Sequence, residues 1–175
     1  KTILSESESI TKLTDFLDDN FSDATQAIYS SKGRLIVTGI GKSAIIAQKM
    51  VATFNSTGTP SMFLHASEAI HGDLGMVQKD DIIICISKSG NSPEIKVVVP
   101  FLKRFGNTLI AITGNMTSFL AKGSDYVLNT TVDAEACPNN LAPTNSTTAQ
   151  LVMGDVRAYF KTYGFSRYSN KTSDF

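Results

Sequence analysis

The chain has 175 residues, 42% of them hydrophobic and 18% charged, which suits one domain with a real core and excludes a disordered segment. Sixteen basic and sixteen acidic side chains cancel, so nothing electrostatic draws the chain to nucleic acid or an anionic membrane, and any anion site must be local. Two cysteines (Cys85 in an apolar run, Cys137 in a loop) form no disulfide framework, and two histidines, His65 and His71, are too few and wrongly spaced for a zinc cluster.

In chain order, Ile10, Leu13, Leu17, Phe21, Ala24 and Ile28 recur at helical spacing and predict an amphipathic N-terminal helix within residues 1–33. Strand-like runs follow at Arg34–Thr38, Pro60–Leu64, Asp81–Ile86, Thr108–Thr113 and Tyr126–Thr130. Helical stretches lie between most of them, at Ser43–Phe54, Ser92–Phe105 and, shorter, Ser118–Lys122. The region Ser67–Val77 reads as loop with short helical turns. A last helix is expected from about Ser146 to Tyr163, with Gly164 as its C′ residue. This alternation predicts one α/β domain over residues 1–175, a five-stranded parallel sheet between two helical layers. No run is apolar enough to cross a bilayer and no signal peptide is visible, so a cytoplasmic protein is expected. The chain starts at Lys1, which points to a fragment or a processed form.

Ligands of open parallel sheets collect beyond the carboxyl ends of the strands, where three loops carry chemistry. After the first strand comes Gly39-Ile40-Gly41-Lys42-Ser43. It is not a Walker A loop, because Ile36 stands where that motif needs glycine. Gly39, Gly41 and Ala44 meet the loose dinucleotide spacing, but Phe63-Leu64-His65 offers no ribose-binding acid after the next strand. What remains is a glycine turn that sets a cation and a hydroxyl at a helix start. After the apolar run Ile82–Ile86 comes Ser87-Lys88-Ser89-Gly90-Asn91-Ser92, then Pro93-Glu94. Ser92 suits an N-cap and Pro93 the first helical position. Ser87, Ser89, Ser92, close backbone at Gly90 and a helix N-terminus have the properties of a phosphate site. The bland alternative is a capped turn with surface serines, and Glu94 suits a first helical turn by the helix dipole alone. The third loop, 132–144, is long, rich in Pro and Asn, and contains Glu135. It leads into Thr144, Ser146, Thr147 and Thr148. His71, within Glu68–Gly75, reads equally well as a hydrogen-bonded packing histidine.

The turn Ser87–Ser92 resembles the signature of the sugar isomerase (SIS) domain. With Gly39–Ser43, Glu68–Met76, Ile86–Glu94 and Glu135-Ala136-Cys137-Pro138 through Leu141–Thr144 to Thr148, the chain is similar to the arabinose 5-phosphate isomerases of Kdo and capsule biosynthesis. The resemblance spans about residues 34–165 and implies a flavodoxin-like three-layer fold. It further implies cofactor-free interconversion of D-ribulose 5-phosphate and D-arabinose 5-phosphate through an enediolate, usually by a homotetramer. Catalytic positions of the family fall on Lys42, His71, Glu94 and Glu135. Gly41, Ser43, Ser87, Ser89, Gly90, Ser92, Thr144 and Thr147 are then expected to hold the substrate and its phosphate. The expected base is Glu135, its pKa raised toward neutrality by burial, with Glu94 second. Lys42 is the electrostatic stabiliser, and His71 a proton shuttle. Family members follow the last helix with a His-Pro-Gly-Gly segment, and long ones add a CBS pair; this chain ends at Phe175, about where that segment should begin. Lys88 is unusual inside the serine turn and is expected to tighten anion binding. Pathway logic adds CMP-Kdo as a feedback ligand. The rival readings are a silent sugar-phosphate sensor and another SIS isomerase.

Overall fold

The computed structural model describes residues 1–163. Five parallel strands, β1 (Leu35–Gly39), β2 (Ser61–His65), β3 (Ile82–Ile86), β4 (Thr108–Thr113) and β5 (Tyr126–Asn129), form one sheet in the order β2-β1-β3-β4-β5. The apolar runs do not alternate because both faces of the sheet are covered. Leu35, Val37, Ile82, Ile84, Ile86, Ile110 and Ile112 face one helical layer; Ile36, Ile83, Cys85, Leu109 and Ala111 face the other. Burial pushes the Cys85 thiol up to about 12, which leaves it an inert core group.

The first layer contains α1 (Thr2–Lys12), α2 (Asp19–Ser30), α3 (Lys42–Ser56) and α7 (Asn145–Tyr163). The second contains α4 (Ala66–Ile70), α5 (Pro93–Phe105) and α6 (Phe119–Gly123). This is the α/β/α architecture and strand order expected. The single N-terminal helix is not what forms. A 3-10 turn at Leu13–Phe16 ends α1, and Asp18 restarts the chain by accepting the Phe21 N–H at 3.2 Å as the N-cap of α2. Helical spacing continues across the break because both pieces bury the same side: Leu13, Phe21, Ala24 and Ile28 pack in one cluster, whereas Leu17 at the corner is exposed. The expected C′ residue Gly164 lies outside the described residues.

At the amino edge of the sheet, Asp81 is buried and takes Arg34 Nη2 at 2.7 Å, the Arg34 amide at 2.8 Å and the Gln78 amide at 2.9 Å. Burial alone would raise its pKa, but these donors hold it below the usual carboxylate range. The opposite, carboxyl edge carries the loaded loops.

Candidate active site

The strand order reverses between β1 and β3: from β1 the chain crosses to β2 on one side, then returns to β3 on the other. Gly39 and Ile86 are register partners at the ends of these strands. The loop Gly39–Ser43 and the turn Ser87–Ser92 therefore leave the sheet side by side, at the switch point where such sheets bind ligands. The turn before α3 needs glycine, since Gly41 adopts φ +58 as its N-cap. Lys42 is exposed and makes no side-chain hydrogen bond or ion pair among the described residues. Ser43 donates to Oε1 of buried Gln150 on α7 at 3.1 Å, which ties the start of α3 to the last helix.

Beyond β3, Ser87 is buried and its Oγ accepts the Gly90 amide at 3.1 Å, so this serine builds the turn. Exposed Ser89 accepts the Asn91 amide at 3.3 Å. Gly90 has φ +61, and a Cβ there would lie 2.2 Å from Ser118 Oγ; both facts demand glycine. Ser92 is the N-cap of α5 by position, yet its Oγ caps nothing and is buried with no partner among the described residues. Pro93 opens the helix, and Glu94 follows half-buried, with no side-chain partner among the described residues.

The long loop behaves differently from expectation. Glu135 is buried, with its side chain fully enclosed. Oε1 accepts Lys88 Nζ at 2.6 Å and the Ser146 hydroxyl; Oε2 accepts the amides of Thr144 at 2.8 Å and Ser146 at 3.1 Å and the Thr144 hydroxyl at 3.2 Å. Burial by itself would raise this pKa, but the Lys88 and Ser146 side chains and the two amides outweigh it and lower it to about 2. The expected rise toward neutrality is overturned: desolvation is real, but the pocket is lined with donors that favour the ionised form. Thr144 and Thr147 serve the same corner. Thr144 Oγ1 accepts the Ala136 amide at 2.8 Å, and Thr147 donates to the Thr144 carbonyl at 2.8 Å. Asn140, at φ +54, caps the Glu135 amide through Oδ1 at 2.7 Å.

His71 follows α4, beyond the carboxyl end of β2, and is exposed; its backbone N–H closes the helix on the Glu68 carbonyl. The other histidine, His65, caps the start of α4 by accepting the Ser67 amide at 3.3 Å. No group of acidic, histidine or cysteine side chains that could hold a metal occurs among the described residues. Nor is any helix there long and apolar enough to cross a membrane.

Lys42, Glu94, the serine turn and the Glu135 corner thus gather at one edge. Gln150 belongs to this site although the sequence did not single it out; Lys88, expected to tighten anion binding, and Ser146, noted only at the start of the last helix, both serve Glu135. Ser146 and Gln150 are four apart on α7, a spacing that marks a shared helix face.

The SIS domain family model matches residues 27–159. The chain is 51% identical over 153 residues to a probable arabinose 5-phosphate isomerase of Haemophilus influenzae, covering 87% of this chain and 45% of that one. It is 49% identical over 163 residues to the arabinose 5-phosphate isomerase KdsD of Escherichia coli K12, covering 92% and 50%. The chain spans about half the length of the curated relatives it matches. Among solved structures, Escherichia coli CFT073 c3406 in complex with arabinose 5-phosphate superposes with TM-score 0.89 at 42% identity, covering 92% of this chain and 86% of that one. Family match, identity and superposition agree: the chain belongs to the SIS domain family.

Proposed function

We propose that this chain is an aldose–ketose isomerase that interconverts D-ribulose 5-phosphate and D-arabinose 5-phosphate in Kdo or capsule biosynthesis. The observation that carries this reading is the superposition, at TM-score 0.89 and 42% identity, on a structure holding arabinose 5-phosphate. The reaction moves a proton between C1 and C2 through an enediolate. It needs a carboxylate within reach, a cation for the developing oxyanion, and a grip on the phosphate. The grip is the turn Ser87–Ser92 and the start of α5.

Between the two glutamates, accessibility favours Glu94 over the expected Glu135 as the base. Glu135 is enclosed and carries five hydrogen bonds, whereas Glu94 is half-buried and uncommitted. Glu94 is therefore the proton-transferring carboxylate, Lys42 stabilises the oxyanion, and His71 remains the candidate shuttle. Glu135 orders the third loop. Exposed Val97, Phe101 and Phe105 follow one face of α5 at four-residue steps, beside exposed Phe119 of α6. That apolar stripe supports self-association, which the expected homotetramer requires.

The decisive assay is ribulose 5-phosphate turnover together with hydrogen exchange from deuterated water, which a silent sensor does not catalyse. Glu94→Gln should lower kcat by about 10² or more, and Lys42→Ala by about 10². Loss of turnover in Glu135→Gln with near-normal kcat in Glu94→Gln would return the base to Glu135.

A further inference from the structure

Lys88 sits between two claims on its charge. Its main chain is fixed: the carbonyl accepts the Gly114 amide at 3.1 Å and the Thr113 hydroxyl at 3.3 Å, both from the end of β4. Its side chain is about half exposed, 48%, and reaches across to enclosed Glu135. The lysine is thus anchored in the middle of the phosphate turn while its ammonium is occupied elsewhere. Glu135 does not depend on that ammonium alone. If Lys88 turns away, the hydroxyls and amides of Thr144 and Ser146 still satisfy the carboxylate. A flexible four-carbon stem can make the move without any change in backbone. Other charged groups of this corner are already engaged: Asp133 pairs with Lys12, and Glu6 accepts the Thr148 hydroxyl at 2.9 Å.

We propose that Lys88 is an exchangeable cation, bound to Glu135 in the free chain and transferred to the phosphate group when a phosphate monoester enters the Ser87–Ser92 turn. The proposal rests on the phosphate-site reading of that turn. Glu135 then competes with the ligand, and every phosphate that binds must first draw the lysine away. A ligand that has to shift an occupied equilibrium binds more weakly than it would to the freed state. Lys88 is a positioning residue here: its partner exchange couples occupancy of the turn to the tether of the third loop.

The consequence runs against the ordinary expectation for an acid at an active site. Glu135→Gln should tighten binding of inorganic phosphate, by about three- to tenfold, because it frees the lysine. Lys88→Met should weaken it by about tenfold, and Lys88→Arg should restore most of the loss. In the Lys88→Met background, Glu135→Gln should change phosphate affinity less than twofold, since the competition needs both partners. Phosphate binding is measured by calorimetry on the full chain at about pH 8, where phosphate is a dianion. Because Glu135→Gln also removes a charge that stabilises its corner, a second measurement uses the wild type: the 15N resonance of the Lys88 ammonium should shift on adding phosphate. An unmoved Lys88 signal at saturating phosphate, weaker or unchanged binding in folded Glu135→Gln, or no saturable phosphate binding would each overturn the proposal. Isomerase activity is scored separately. Absent turnover with the predicted phosphate cycle refutes the isomerase and leaves the exchange intact; normal turnover without the cycle does the reverse.

Discussion

The Glu135 carboxyl shows how neighbours can reverse the effect of burial. Folded, it titrates at about 2; its ordinary value is 4.5. A folded value below the unfolded one adds stability that is complete above about 4.5 and is lost as pH falls toward 2. The interval corresponds to about 3 kcal/mol. Glu135→Gln should therefore lower the unfolding free energy by about 3 kcal/mol at pH 7, and its deficit against the wild type should shrink below about pH 4. Urea melts across that range check it, and a deficit that stays constant down to pH 2 removes the ionised-carboxylate account. Gly90→Ala is a second residue-level case. Positive φ and the collision with Ser118 act together, so a loss of about 2 kcal/mol or more is expected, together with weaker phosphate binding. A denaturant melt and a phosphate titration of the same variant separate the two effects.

At the scale of elements, the sequence was most legible where hydrophobic runs are long. All five strands lie within a residue or so of where the apolar runs placed them, and α3 and α5 begin at the glycine and proline signals. The break in the N-terminal helix is not legible in periodicity, which records the buried side and is blind to a corner that keeps the same side inward. The information about the break is local: Asp18 caps α2 three residues before Phe21. Asp18→Ala should cost about 1 kcal/mol by thermal or chemical unfolding and leave the switch-point loops unaffected. A change within a few tenths of a kcal/mol would mean that packing of Phe21, Ala24 and Ile28 alone sets the helix start.

For the whole molecule, both helical layers leave large apolar side chains in the open: Ile3, Leu4, Tyr29 and Ile45 in the first layer, and a regular stripe on α5 in the second. The α5 face retains Val97, Phe101 and Phe105 in the open, at exposures of 42%, 44% and 50%. If that stripe is a subunit interface, Phe101→Asp should shift the chain to smaller species in sedimentation velocity without altering its far-ultraviolet spectrum. Unchanged sedimentation would place assembly on another face. The ion pair Arg34–Asp81 lies at the opposite edge of the sheet from the candidate site, so Asp81→Asn should lower stability in a urea melt and leave phosphate binding at the serine turn unchanged.

By itself the sequence determined the strand set, the two-sided burial, the glycine turn before Lys42 and the hydroxyl-rich turn before Glu94, because backbone conformation and hydrophobic pattern are local properties. It brought every chemically loaded loop to the carboxyl edge, since parallel crossovers allow no other place for them. Only the tertiary structure decided what those side chains meet. Lys88 and Glu135 are 47 residues apart, and Ser43 and Gln150 are 107 apart. A pKa depends on the donors packed around a group as much as on its depth, and no spacing along the chain reveals that a buried glutamate faces a lysine, two hydroxyls and two amides.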